Sequence, residues 1–230
     1  MPILSRRHRF LFLMAPGTGC TAVGKALVDG ASGELFPAED VLDEQGLQLV
    51  DHKHATLQRL LANGLLAREE AAGLFKFTTI RNPFDALVTQ YVRLRTTWKE
   101  RQRDPHSFVH RQRHTARRIE LASRHSFEGW VERTFRLGGV RSRVVRRYRS
   151  PGHLYQGYID GADFLMRYER LQDDFDQALR HVGIDRPIEI PQTNVTAGRH
   201  PDHRSYYTPR ARAIVEKVFE PDLERFGYSF

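Results

Sequence analysis

The sequence predicts an α/β fold, a single domain whose central, mostly parallel sheet is flanked by helices. Three observations carry that expectation. Phe10–Ala15 is a continuous apolar run closed by Pro-Gly, as suits a buried parallel strand. Further strand-like segments alternate with segments of helical spacing. The turn after the first run, Pro16-Gly17-Thr18-Gly19, is glycine-rich and leads straight into a helix-like stretch.

Taken in order, Thr21–Asp29 carries Val23, Ala26 and Leu27 at helical spacing. Leu47–Val50 reads as a second short strand running into Asp51-His52-Lys53-His54. A helix over Thr56–Ala72 has Leu57, Leu60, Leu61 and Leu65 on one face, interrupted by Gly64. Leu74–Ile80 is the next strand, ended sharply by Arg81-Asn82-Pro83. Phe84–Arg95 is a helix with Leu87, Val88, Tyr91 and Leu94 inward. From Thr96 to Arg149 the chain is polar and rich in Arg and His, with one short amphipathic helix marked by Phe127, Trp130, Val131 and Phe135. Asp163–Met166 is a strand and Leu171–Val182 a helix. Pro187–His203 is a loop. The last helix opens with Thr208 as N-cap and Pro209 at its first position, and it ends near Gly227.

The 230 residues fit one domain, 1–230, with 96–160 as a more variable Arg/His-rich helical insertion. A single cysteine, Cys20, excludes an intramolecular disulfide and a cysteine-clustered metal site. The apolar run at Phe10 is too short to span a membrane and continues into a glycine turn with no cleavage site, so a cytoplasmic protein is expected. A net charge of +8 points to anionic partners. No recognised nucleic-acid motif accompanies the arginines, which are interleaved with acids, so nucleic-acid binding ranks last.

Two loops carry the chemistry. Pro16, Gly17, Thr18, Gly19, Cys20 and Thr21 offer successive backbone N–H groups at a helix N-terminus, which favours a phosphate or sulfate. In the second, Arg81 ends a strand and Thr89 lies eight residues on, about two turns into the next helix. An arginine fork and a hydroxyl there would converge on one anion. Gly19 to Lys25 also resembles a nucleotide-kinase phosphate loop, but Ala26 stands where a Mg²⁺-binding hydroxyl is needed.

Arg81-Asn82-Pro83-Phe84-Asp85-Ala86-Leu87-Val88-Thr89 resembles the second motif of nucleotide-dependent sulfotransferases, particularly the carbohydrate type. Met166-Arg167-Tyr168-Glu169 with its following helix, and the tail from His203 through Tyr206-Tyr207-Thr208 to Phe226-Gly227-Tyr228, are similar to that family's later elements. The resemblance implies PAPS (3′-phosphoadenosine 5′-phosphosulfate) as co-substrate, PAP as product and no metal. It implies that Arg81 and Thr89 hold the 3′-phosphate, that the first loop holds the 5′-phosphosulfate, and that Tyr168 contacts adenine. The family usually has Lys or Arg directly after the loop proline. Here that residue is Gly17, with Lys25 or Lys53 as the available replacements. Deprotonating an acceptor hydroxyl needs a base. His54 is the first candidate and His52 the second, both expected on one strand face with Lys53 opposite. Arg204, in the late loop with Arg199, His200 and His203, is expected to close over the cofactor or line the acceptor groove. A hydroxyl-bearing acceptor follows, and the Arg/His-rich middle would suit an anionic one. The alternative is a P-loop kinase built on Gly19–Lys25.

Overall fold

The computed structural model describes residues 1–45, 48–105, 107, 109, 115–135, 153–193 and 196–230. They form two compact units, one of residues 1–81 and 155–194, the other of 82–154 and 195–230.

The first unit holds the sheet, in the order β3-β1-β2-β6-β7. β2 (Phe10–Leu13), β6 (Phe75–Ile80) and β7 (Phe164–Arg167) are its parallel heart, with Phe12 opposite Phe77 and Phe77 opposite Phe164. Two short strands extend it antiparallel on one side, β1 (Ile3–Ser5) and β3 (Glu34–Leu35). The sheet therefore does not begin at Phe10, because Ile3 and Leu4 are fully buried ahead of the basic turn. One face packs Phe10, Phe12 and Phe77 against α1 (Cys20–Gly30) and the later helix α9 (Leu171–His181). The other face sets Leu4, Leu11 and Leu13 against α2 (Leu57–Ala62) and α3 (Arg68–Ala72). The single helix expected over Thr56–Ala72 is two, since Gly64 adopts φ 66° between them.

Leu47–Val50 is corrected as well. β5 (Gln48–Val50) pairs antiparallel with β4 (Val41–Leu42) in a separate two-stranded ribbon and takes no part in the central sheet. A short helix, α8 (Gln156–Ile159), leads into β7.

The second unit is helical among the described residues: α4 (Pro83–Arg95), α5 (Thr97–Arg101), α6 (Thr115–Arg124), α7 (Phe127–Thr134) and α10 (Pro209–Phe226). Phe84, Leu87, Val88, Tyr91, Trp130 and Phe219 form its core. Thr208 caps α10 by accepting from the Ala211 amide, and Gly227 ends it in the left-handed region, as the Thr-Pro and Gly signals require. Much of the Arg/His-rich stretch, residues 136–152, lies outside the described residues. No helix among the described residues is long and apolar enough to cross a membrane.

Asp174 ties the end of β7 to α9. Its buried carboxylate accepts from the Arg167 amide at 2.6 Å and pairs with Arg170 at 2.9 Å. Asp174→Ala strands that amide, so it should destabilise the fold by about 1–3 kcal/mol, read as a lowered midpoint in urea unfolding. An unchanged midpoint would show that the contact contributes nothing.

Candidate active site

The three parallel strands end at Leu13, Ile80 and Arg167, and the first loop, Arg81 and Tyr168 sit just beyond those ends, where α/β sheets bind ligands. After β2 the chain turns through Gly17 (φ 82°) and Gly19 (φ 77°) into α1. Thr18 is fully buried and its hydroxyl donates to the Ala15 carbonyl at 2.8 Å, bracing the turn rather than facing outward. Gly19 must be glycine twice over. Its φ is left-handed, and a Cβ there would lie 3.0 Å from Leu171 Cδ2 and 3.2 Å from Tyr168 Cε2. Cys20 is buried and Thr21 exposed in the first turn. Among the described residues no side chain caps this helix and no acid sits in its first turn, so its positive dipole end lies at the glycine turn uncompensated by an acid of its own.

Helix α1 begins at Cys20, so Gly24 and Lys25 lie in its second turn. Lys25 pairs with Asp29 at 2.8 Å on the exposed face. A phosphate-loop lysine must stand at the loop–helix junction, and this one does not. The kinase reading fails on that placement.

Arg81 follows β6 and is only 4% exposed. Its Nη1 donates to the Gly17 carbonyl at 3.0 Å, and its guanidinium carbon lies 3.9 Å above the Tyr168 ring. The first loop, Arg81 and Tyr168 are thus brought together within one unit.

His52, Lys53 and His54 form a turn rather than a strand end, closed by the His54 amide donating to the Asp51 carbonyl at 3.2 Å. The expected sharing of one strand face is therefore corrected, and the two histidines have separate anchors. His52 is held by Asp40, which takes both its ring Nδ1 and its amide, the latter at 2.9 Å. His54 Nδ1 lies 2.9 Å from the Met14 carbonyl. A carbonyl only accepts, so Nδ1 carries the proton and Nε2 keeps its lone pair. Burial lowers the His54 pKa below its ordinary value and keeps the ring neutral; the Met14 contact opposes this more weakly. The Tyr158 hydroxyl, donating to the His54 carbonyl at 3.1 Å, fixes the turn from the other side. Lys53 is exposed between the two rings, its amide held by Asp51 at 2.8 Å.

Asp40, Asp51 and His52 place three potential ligand atoms within 4.8 Å of one another, a grouping that their separation in sequence conceals. Asp40 and Tyr158 are the supporting residues that sequence reasoning missed. Nothing in the sequence pairs Asp40 with His52 across the ribbon.

In the second unit, Asp85, Thr89 and Arg93 recur every four residues along α4. Arg199 and, at 3.8 Å, His203 engage Asp85, while Arg93 donates to the Thr196 hydroxyl at 3.0 Å. The late loop is so fastened along α4. Thr89 is buried and its hydroxyl has no hydrogen-bond partner among the described residues. Arg204 donates to the Phe230 carbonyl at 3.1 Å.

A glycine turn between the first parallel strand and its helix, an arginine against it and a neutral histidine held by Met14 before it lie together in an α/β unit. A family model described as the sulfotransferase family matches residues 2–229, and the chain belongs to that family. It is a sulfotransferase. No curated protein and no solved structure gives a significant match.

The lowered His54 pKa has a definite consequence. Between that value and the ordinary 6.5, the folded chain binds fewer protons than the unfolded chain, so stability falls as pH drops through this window. A pH profile of kcat/KM should show an acid limb with an apparent pKa below 6.5. A limb above 6.5 would assign the group elsewhere.

Proposed function

We propose that the enzyme transfers a sulfuryl group from PAPS to the hydroxyl of a carbohydrate or small-molecule acceptor. One observation carries the reading: the glycine turn, Arg81 and Tyr168 meet beyond the ends of three adjacent parallel strands. The first-turn amides of α1 receive the 5′-phosphosulfate. Arg81 serves the 3′-phosphate, and the place of Thr89 in the Arg-Asn-Pro motif assigns its hydroxyl, unpartnered among the described residues, to the same phosphate. Tyr168, backed by Arg81 on one face, lies against the adenosine. A cytoplasmic location fits the lone cysteine.

In the transfer, the acceptor oxygen forms its bond to sulfur as the bond from sulfur to the bridging phosphate oxygen breaks. The acceptor proton passes to His54 Nε2, and the departing bisphosphate keeps the electron pair. Gly17 supplies no cation for the developing charge, and Lys25 is paired with Asp29. Lys53, exposed next to His54, takes that role. No step calls for a metal.

Thermal unfolding with PAP tests the donor site. PAP at about 100 times its Kd should stabilise the native state by about 2.7 kcal/mol, without added metal. For a chain of this size that is a rise of roughly 5–10 °C. Arg81→Ala should abolish the rise, and a shift with Mg·ATP but not PAP would sink the proposal. His54→Ala should lower kcat by about 10²–10⁴-fold while the PAP shift persists. Full activity in that variant would remove His54 as the base.

A further inference from the structure

Between Lys25 and Lys53 there is no Lys or Arg, although the chain as a whole carries +8. The same interval holds Asp29, Glu34, Glu39, Asp40, Asp43, Glu44 and Asp51. It also holds all four of the large apolar side chains that stand exposed among the described residues: Val28 of α1, Leu35, Leu42 at 53% and Leu49 at 43%.

The ribbon β4–β5 explains the arrangement. Val41 pairs with Val50, and these two turn into the core shared with Leu4 and Leu11. Leu42, which pairs with Gln48 across a register shift, and Leu49, next to Val50, are both left exposed. Glu39 and Glu44 are exposed at either end of β4. β5 runs directly into the His52–His54 turn, and Asp40 clamps the start of β4 to His52. An apolar strip bordered by carboxylates is therefore continuous with the segment that carries the candidate base.

We propose that the outer face of this ribbon binds the acceptor, and that the acceptor is a hydroxyl compound with an apolar body and a cationic group. This rests on the sulfuryl-transfer reading above. Leu42 and Leu49 remove the apolar body from water, and Glu39 and Glu44 attract the cation and repel an anion. A polyanionic glycan is disfavoured at this face, whatever the net charge of the whole chain.

Three acceptors of one length test the idea with the full chain and PAPS: 12-amino-1-dodecanol, 1-dodecanol and 12-hydroxydodecanoate, each kept below its aggregation threshold. The expected order of kcat/KM is amine, then alcohol, then carboxylate. The extremes should differ by about tenfold or more at low salt and draw together as ionic strength rises. Leu42→Ser/Leu49→Ser should raise KM about tenfold for all three with kcat kept. Glu39→Gln/Glu44→Gln should level the order, weakening the amine and strengthening the carboxylate. All these positions are exposed, and an unaltered melting point of the variants checks that folding is intact. A carboxylate used as well as the amine, or leucine variants with unchanged KM, overturns the proposal. So does transfer to none of the three while PAP still raises the melting point. Loss of the PAP response itself takes down the donor reading and this inference with it.

Discussion

The first unit's site depends on where one buried guanidinium goes. Arg81 cannot lose its charge, and burying it without partners would cost several kcal/mol. It settles on the Gly17 carbonyl and the face of Tyr168. The left-handed turns at Gly17 and Gly19 belong to the same closure. Gly19 leaves room for the Tyr168 ring, and that ring meets the guanidinium. Three loops from three strands are thereby held by one side chain. The parallel register of β2, β6 and β7 makes this possible, because it places all three loops beyond the same edge of the sheet.

The same economy separates the two histidines. They are two residues apart in one turn, and sequence alone gives them equal claims. Their hydrogen-bond partners differ in kind. Asp40 offers His52 a carboxylate, which holds the ring and occupies its Nδ1. Met14 offers His54 a neutral carbonyl, which fixes the tautomer and leaves burial to set the proton affinity. A ring held in that way is ready to accept a proton at Nε2. The choice between them thus follows from the residue across the contact rather than from anything in the His-Lys-His triplet.

Where local chemistry decides, the sequence was legible. The Pro-Gly-Thr-Gly turn, the Arg-Asn-Pro junction and the Thr-Pro start of α10 each contain their own cause, and all three sit where expected. Where pairing across the chain decides, it was not. Gln48–Val50 has a strand's composition, but nothing in it selects Val41–Leu42 over the central sheet. Ile3–Ser5 is too short for periodicity to show. Helix α6 buries only Thr115, Ile119 and Ala122 among charged residues, so its apolar face is too thin to read. The orphaned Thr89 hydroxyl is a different case. Its place in the Arg-Asn-Pro motif marked it, and only burial made it a chemical demand.

Net charge was the least informative quantity, for a physical reason. At physiological ionic strength a surface charge is felt over roughly 8 Å. An acceptor approaching His54 responds to the side chains within that distance and not to arginines elsewhere. The interval leading to Lys53 and His54 is rich in carboxylates, of which Asp29 pairs with Lys25 at 2.8 Å, Glu34 pairs with Arg6 at 3.1 Å and Asp40 holds His52. Glu39 and Glu44 stand exposed on either side of β4. In the proposed reading the donor is governed differently, since the α1 amides and Arg81 would hold it by short, directed contacts that salt screens weakly. One unit can therefore favour a polyanionic donor and disfavour an anionic acceptor. The two preferences are compatible because each is decided within a few ångströms.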